Sequence, residues 1–204
     1  MTEGFLSKAY GPRDAADTRK LYDDWAGSYD GEVGDNGYAT PGRCAAALAE
    51  HCVDLNAPLL DFGCGTGLSG VALAQAGFRT LDGVDLSADM LAQARDKGIY
   101  RSLSQIEANT PLAHKPGDYA AICAIGVIGA GAAPISVFDT LMAGLATGGL
   151  FVLSFNDHAL ADPVNEGTLQ SYVTSGRAHL LFKDYGAHLP GIDIKSNVYV
   201  LEKT

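Results

Sequence analysis

Apolar residues along the chain follow two patterns that alternate. Short apolar segments, typical of strands buried in a parallel sheet, occupy residues 59–62, 81–85, 103–107, 118–125 and 150–155. Segments whose apolar residues recur at intervals of three and four predict helices, at 42–53, 68–77, 87–98 and 134–146. Strands that alternate with helices predict an α/β fold, a three-layer sandwich with helices on both faces of the sheet.

The two ends of the chain add to this core. Near the C-terminus a helix at 166–174 precedes two β segments, 178–185 and 194–201, whose short Gly and Pro connection permits only an antiparallel hairpin. Near the N-terminus we expect a loose leader, a helix and a mobile connection, at 1–12, 13–29 and 30–41. We expect 1–204 to form a single domain, with its core at 42–204.

The first predicted strand leads into a turn that is rich in glycine. Gly63, Gly65 and Gly67 are separated by single residues and precede a helix, so a ligand can lie directly on the main chain. Asp61 could hold a cationic group, and Asp85, at the end of the second strand, suits the hydroxyls of a ribose. Residues 65–70 also match the dinucleotide pattern G-x-G-x-x-G. The spacing therefore leaves a dinucleotide and a nucleoside with a cationic group as alternatives.

The segments Asp-Phe-Gly-Cys-Gly-Thr-Gly at 61–67 and Gly-Val-Asp-Leu-Ser at 83–87 resemble the class I S-adenosylmethionine-dependent methyltransferases. With the segment 22–30 and the Gly-Ile-Tyr step at 98–100, the chain is most similar to the methyltransferase-like proteins named for the Williams-Beuren chromosomal region. The resemblance implies a Rossmann-like, seven-stranded mixed sheet in the order 3-2-1-4-5-7-6. It also implies S-adenosylmethionine as cofactor and S-adenosylhomocysteine as product.

The resemblance assigns roles to particular residues. Tyr22, Trp25 and Tyr29 share one helix face, which would form a lid over the methionine end of the cofactor; a stripe packed on the core is the alternative. Glu107 and Ala108 match the position of an adenine contact, although Glu replaces the more usual Asp. The expected cofactor-binding residues are Tyr22, Trp25, Tyr29, Asp61, Gly63, Cys64, Gly65, Gly67, Asp85, Leu86, Glu107, Ala108 and Ile125. Within this set, Asp61, Gly63 and Gly65 would hold the amino-acid end, Asp85 the ribose and Leu86 one face of the adenine.

The catalytic group is not indicated by any motif. The segment 126–131 after the fourth strand lacks the Asn or Asp followed by Pro-Pro and an aromatic that amino-directed methyltransferases carry. His158 follows the fifth strand and is the best-placed histidine for proton removal, with an ordinary loop position as the alternative. Methyl transfer from a sulfonium depends chiefly on alignment, so a diagnostic catalytic residue is not required.

Composition limits the partners. A net charge of −10 works against binding nucleic acid, and we expect a small-molecule acceptor. The four cysteines lack the paired spacings of a zinc site, so we expect reduced thiols and no metal. No run of 18 apolar residues occurs, and we expect a cytoplasmic protein that does not bind membranes. The oligomeric state is left open.

The sequence thus predicts a methyltransferase that acts on a small molecule. A protein that binds the cofactor without catalysis is one alternative. An NAD-linked oxidoreductase is another, disfavoured because no substrate domain follows and because Gly70, the third glycine of the dinucleotide pattern, would lie inside a helix.

Overall fold

The computed structural model describes residues 11, 14–129 and 131–204. In this part of the chain, seven strands form one sheet in the order β3-β2-β1-β4-β5-β7-β6. Strands β1 to β5 are parallel, and β7 is antiparallel to both β5 and β6. The strands are β1 Leu59–Phe62, β2 Leu81–Asp85, β3 Ser102–Gln105, β4 Ala121–Ala124, β5 Leu150–Asn156, β6 Ala178–Leu189 and β7 Ile194–Lys203. The predicted sheet order and the C-terminal hairpin are confirmed.

The helices connect these strands and add an N-terminal group. Polar side chains fix several helix starts: Asp14 accepts a hydrogen bond from the amide of Asp17 (2.8 Å), and Ser87 accepts one from the amide of Met90 (3.0 Å). The helices are α1 Ala15–Trp25, α2 Tyr29–Asp35, α3 Thr40–His51, α4 Leu68–Gln75, α5 Ala88–Asp96, α6 Ser136–Ala143, α7 Asp157–Leu160 and α8 Pro163–Thr174. A 3₁₀ turn, Pro190–Ile192, joins β6 to β7. Among the described helices, each is too short or too polar to cross a membrane.

The central strands are buried on both faces, which explains their continuous apolar sequence. In β4, Ile122 packs with α6 and α8 on one face, whereas Cys123 packs with α3 and α4 on the other. Every residue of β4 is buried. The result is the predicted three-layer arrangement, with one apolar core on each side of the sheet.

The N-terminal expectations need correction. The helix expected at 13–29 is interrupted, because the chain turns after Trp25, where the amide of Ser28 donates to its carbonyl (3.0 Å), and Tyr29 begins α2. The connection expected to be mobile at 30–41 is mostly helical, since Val33 is buried beside Trp25 and Leu189. The expected leader lies outside the described residues except for position 11.

The sheet order also locates the ligand crevice. Strands β1 and β4 are neighbours, and the chain leaves them in opposite directions, towards β2 and towards β5. Ligands of open α/β sheets bind at the carboxyl ends of the strands beside such a switch point. Here that position is the glycine turn directly after β1.

Candidate functional site

The glycine turn has a backbone that favours glycine at each of its three positions. Gly63, Gly65 and Gly67 have φ angles of +69°, +53° and +92°. A Cβ at Gly63 would lie 2.6 Å from a methyl of Val127, whereas a Cβ at Gly65 would meet no protein atom within 4 Å. The fold therefore leaves the space beside Gly65 free of protein atoms.

This turn forms one wall of a cavity of about 1090 Å³. The volume lies just above the roughly 300–1,000 Å³ range of small-molecule pockets. The walls come from the loops that follow β1, β2, β3 and β4, and from helices α1 and α6. Wall residues include Gly63, Cys64, Gly65, Asp85, Leu86, Glu107, Ala108, Ile125, Gly126, Val137 and Thr140.

Helix α1 lies across the carboxyl edge of the sheet and forms one side of this cavity. Its side chains reach three successive loops: Asp23 accepts from Ser87 after β2, Arg19 pairs with Glu107 after β3, and Thr18 donates to the carbonyl of Gly131 after β4 (3.5 Å). Surface ion pairs contribute little individually, but these three contacts fix one helix against three loops.

The three aromatic residues of the predicted stripe, Tyr22, Trp25 and Tyr29, occupy two environments, the cavity wall and the core. Tyr22 and Tyr29 line the cavity, as the predicted lid requires. Trp25 does not line the cavity: it is 2% exposed, and its indole nitrogen donates to Glu32 (2.8 Å). The structure therefore places Trp25 in the small core beside Val33 and Leu189, and its predicted contact with the cofactor stays a prediction.

The two predicted acids occupy different positions. Asp85 lines the cavity; its two carboxylate oxygens accept from the amides of Gly65 and Ser87, each at 2.9 Å, and burial raises its pKa. Asp61 is completely buried beneath the turn and does not line the cavity. Burial raises the pKa of Asp61 to about 6, although hydrogen bonds from Ser69 and Tyr100 oppose the shift.

Tyr100 and Ser69 contact Asp61, and the sequence assigned neither of them to the site. The Tyr100 hydroxyl and the Ser69 hydroxyl donate to the same oxygen of Asp61, Oδ2, at 2.7 and 2.6 Å. A Cβ at Gly70 would lie 2.3 Å from the Tyr100 hydroxyl oxygen. Gly70 thus makes room for a tyrosine, which explains the third glycine of the apparent dinucleotide pattern. The Gly-Ile-Tyr segment at 98–100 drew attention to Tyr100 in the sequence. Its hydrogen-bond partner, Asp61, is 39 residues away, so the sequence did not indicate the contact.

A second group of contacts ties α2 to the turn. The Lys97 ammonium donates to Asp30 and to the carbonyl of Thr66, both at 2.7 Å, and the Thr66 hydroxyl donates to Asp30. Gly67 does not line the cavity but serves as the left-handed N-cap of α4. These contacts hold the turn between the N-terminal helices and α5.

The remaining predicted residues separate into wall and surface positions. Leu86, Ala108 and Ile125 lie on the cavity wall. Glu107 also lies there but falls after β3 and not inside it, and its side chain is 66% exposed. His158 is exposed on α7 and does not line the cavity. Among the described side chains, no three His, Cys, Asp or Glu groups converge as a metal site.

Three observations agree on the class of protein. The sheet order, the glycine turn after β1 and the carboxylate at the end of β2 are those of a class I S-adenosylmethionine-dependent methyltransferase. Residues 60–151 match the family described as "Methyltransferase domain". The fold and the matched segment support a class I methyltransferase domain, and the cofactor of that class is S-adenosylmethionine.

Two curated proteins are similar to this chain over part of its length. The chain is similar to the human methyltransferase-like protein 27, with 34% identity over 141 residues, or 65% of this chain and 56% of that protein. It is also similar to the 18S rRNA (guanine(1575)-N(7))-methyltransferase of Saccharomyces cerevisiae, with 31% identity over 51% of this chain and 43% of that protein. The matches span about half the length of these curated relatives.

A solved structure shows the same fold over nearly the full chain. It is the complex between the Haloferax volcanii Trm112 methyltransferase activator and a methyltransferase. The match covers 91% of this chain and 97% of that chain, with a TM-score of 0.70 and 16% identity. At this level of identity the similarity establishes the fold alone.

Proposed function

We propose that this protein transfers the methyl group of S-adenosylmethionine to a small-molecule acceptor. One observation carries the proposal: the open space beside Gly65 and the carboxylate of Asp85 lie on the same wall of one large cavity. A nucleoside bearing an amino-acid end needs both features. Close approach to the main chain suits the amino acid, and paired acceptor oxygens suit the ribose.

The residues present fit the cofactor. The orphaned Oδ1 of Asp61 supplies negative charge beneath the turn, and Asp85 presents its carboxylate at the wall. We place the adenine between Leu86 and the segment of Glu107 and Ala108. When bound, S-adenosylmethionine supplies a methyl group on a positively charged sulfur, which departs as a neutral thioether.

The protein's contribution to the reaction is alignment and exclusion of water. Tyr22 and Tyr29 cover the cavity from α1 and α2, and the contacts of α1 with three loops hold that cover in place. Holding an acceptor in line at about 3–3.5 Å supplies on the order of 7–11 kcal/mol. We assign no general base: His158, the histidine that the sequence favoured, does not line the cavity.

The proposed acceptor class follows from the cavity and from the net charge of the protein. The cavity lies beneath α1, and a net charge of −10 opposes contact with a polyanion. The yeast relative is named for rRNA, so RNA belongs in the test as a competing acceptor. We further propose that the protein acts in the cytoplasm.

Methyl transfer can be tested directly with S-adenosylmethionine labelled on its methyl carbon. The protein is incubated with the donor and with separate small-molecule, RNA and protein fractions of a cell extract. With donor held below saturation, we expect label in the small-molecule fraction, and at least tenfold less with the Asp85→Ala variant. Label in RNA or protein would refute the acceptor class. Binding of S-adenosylhomocysteine without transfer to any fraction would indicate a cofactor-binding protein without catalysis.

A further inference from the structure

The carboxylate of Asp61 is buried and has no positive partner among the described residues. Its Oδ2 accepts hydrogen bonds from Ser69 and Tyr100, which are neutral donors, while its Oδ1 is buried with no hydrogen-bond partner in the described part of the chain. Buried carboxylates are normally paired with a cation, and a buried oxygen left unpaired is costly. The site therefore lacks a counter-charge that a bound ligand could bring.

Asp61 forms no ion pair with any of the described residues. The titratable side chains that interact with it include Tyr100, Asp85, Cys44, Cys64 and Cys123. Burial raises the pKa of each of these thiols and of Tyr100, so all four stay protonated and neutral. Asp85 is itself acidic and opposes a second negative charge nearby.

The fold reserves the space through which Tyr100 reaches this carboxylate. A Cβ at Gly70 would lie 2.3 Å from the Tyr100 hydroxyl oxygen, and a Cβ at Gly83 would lie 3.1 Å from its ring. Two glycines on different elements, α4 and β2, thus admit one aromatic side chain. The ring passes beneath the turn, and its hydroxyl donates to Asp61 at 2.7 Å.

We propose that Tyr100, assisted by Ser69, is a positioning residue for the cofactor: it holds Asp61 as a carboxylate whose charge attracts the ammonium of S-adenosylmethionine across the glycine turn. The inference rests on the proposed function and goes beyond it, because it assigns a task to a side chain outside the cavity. Interactions of this kind are strong in a poorly solvated site. Only the ionised form of Asp61 provides the attraction.

The proposal predicts a particular pH dependence of binding. Burial raises the pKa of Asp61 to about 6, and the Tyr100 hydroxyl acts against that shift. Tyr100→Phe keeps the ring in its slot but removes this donor, so the pKa of Asp61 rises further, by about one pH unit for the loss of one such hydrogen bond. At pH 6 the ionised fraction then falls from about one half to one eleventh, which weakens binding about fivefold. At pH 8 both proteins are ionised and the affinities converge.

The test is calorimetric titration with S-adenosylhomocysteine between pH 5.5 and 8. Tyr119→Phe is the matched control, because Tyr119 also donates to a buried aspartate, Asp82 (3.0 Å), but does not line the cavity. We expect the affinity of the wild type and of Tyr119→Phe to fall below pH 6. For Tyr100→Phe, the fall should begin at a pH about one unit higher. Ser69→Ala removes the other hydrogen-bond donor to Asp61, so its pH dependence of affinity should shift in the same direction. This variant provides the test if Tyr100→Phe does not fold.

The outcomes separate this inference from the proposed function. Profiles for Tyr100→Phe and Ser69→Ala that run parallel to the wild type at every pH would overturn the positioning role while leaving cofactor binding intact. A wild type that does not bind S-adenosylhomocysteine at any pH would overturn the proposed function itself.

Discussion

Gly65→Ala tests whether the space beside the turn belongs to the cofactor. Gly65 has a φ angle of +53°, and a Cβ there would meet no protein atom within 4 Å. The variant should therefore fold, with a cost of roughly 1–2 kcal/mol for placing alanine in the left-handed region. For a chain of 204 residues, this corresponds to a melting temperature lower by roughly 2–8 °C.

Gly98→Ala provides the matched control. Gly98 has a φ angle of +65°, its Cβ would also meet nothing within 4 Å, and it does not line the cavity. Both variants should thus lose similar stability for the same backbone reason. Only Gly65→Ala places a methyl group where the cofactor would lie, and its affinity for S-adenosylhomocysteine should fall at least tenfold, or about 1.4 kcal/mol.

The measurements are thermal denaturation and calorimetric titration on both variants. Equal losses of stability with a loss of affinity confined to Gly65→Ala would support the assignment. If Gly65→Ala bound S-adenosylhomocysteine as tightly as Gly98→Ala, the space beside the turn would not be used by the cofactor and the reasoning would be refuted.

Three further predictions follow from the same contacts. Asp85→Ala should weaken S-adenosylhomocysteine binding at least tenfold in calorimetry, since the wall loses its carboxylate. Gly70→Ala should lower stability by about 1–3 kcal/mol in chemical denaturation, because its Cβ would lie 2.3 Å from the Tyr100 hydroxyl oxygen. His188 is 5% exposed, and burial lowers its pKa from 6.5 to about 4. Between pH 6.5 and pH 4 the imidazole is therefore protonated in the unfolded chain and neutral in the folded protein. Stability should fall as the pH falls through this range. His188→Gln should remove up to about 3 kcal/mol of that loss between pH 7 and pH 4.

Each of these predictions has a contrary result. Unchanged affinity in Asp85→Ala would remove Asp85 from the ribose site. Gly70→Ala with wild-type stability would mean that Tyr100 does not occupy the slot. For His188→Gln, denaturation curves at pH 4 and 7 should be compared with the wild type, because the raised pKa of Asp61 gives an opposite slope that cancels in the difference. An identical pH dependence in both proteins would contradict the burial of a neutral His188.

The sequence predicted the sheet because its signals are local. Continuous apolar segments marked the buried strands, and a connection too short for a crossover fixed the antiparallel hairpin. The glycine spacing located the turn, since positive φ angles at Gly63 and Gly65 are a requirement of the backbone itself. Asp85 could be predicted to lie at the ligand edge of the sheet because it is the last residue of a strand.

The parts that the sequence did not predict depend on packing between distant segments. A helical stripe shows that Tyr22 and Trp25 share a face, but it does not show that one lines a cavity and the other is buried. Helix α2 is rich in Gly and Asp, which disfavour helices, and its buried Val33 shows that tertiary contacts stabilise it. The bond between Tyr100 and Asp61 joins residues 39 positions apart, beyond any local pattern.

We propose that the cavity above the glycine turn binds an adenosyl amino acid. The most direct measurement is a crystal structure of the protein soaked with S-adenosylhomocysteine at saturating concentration. We expect the amino-acid end against Gly63 and Gly65 and the ribose hydroxyls on Asp85. A cavity without the ligand, or a ligand bound elsewhere on the protein, would contradict it.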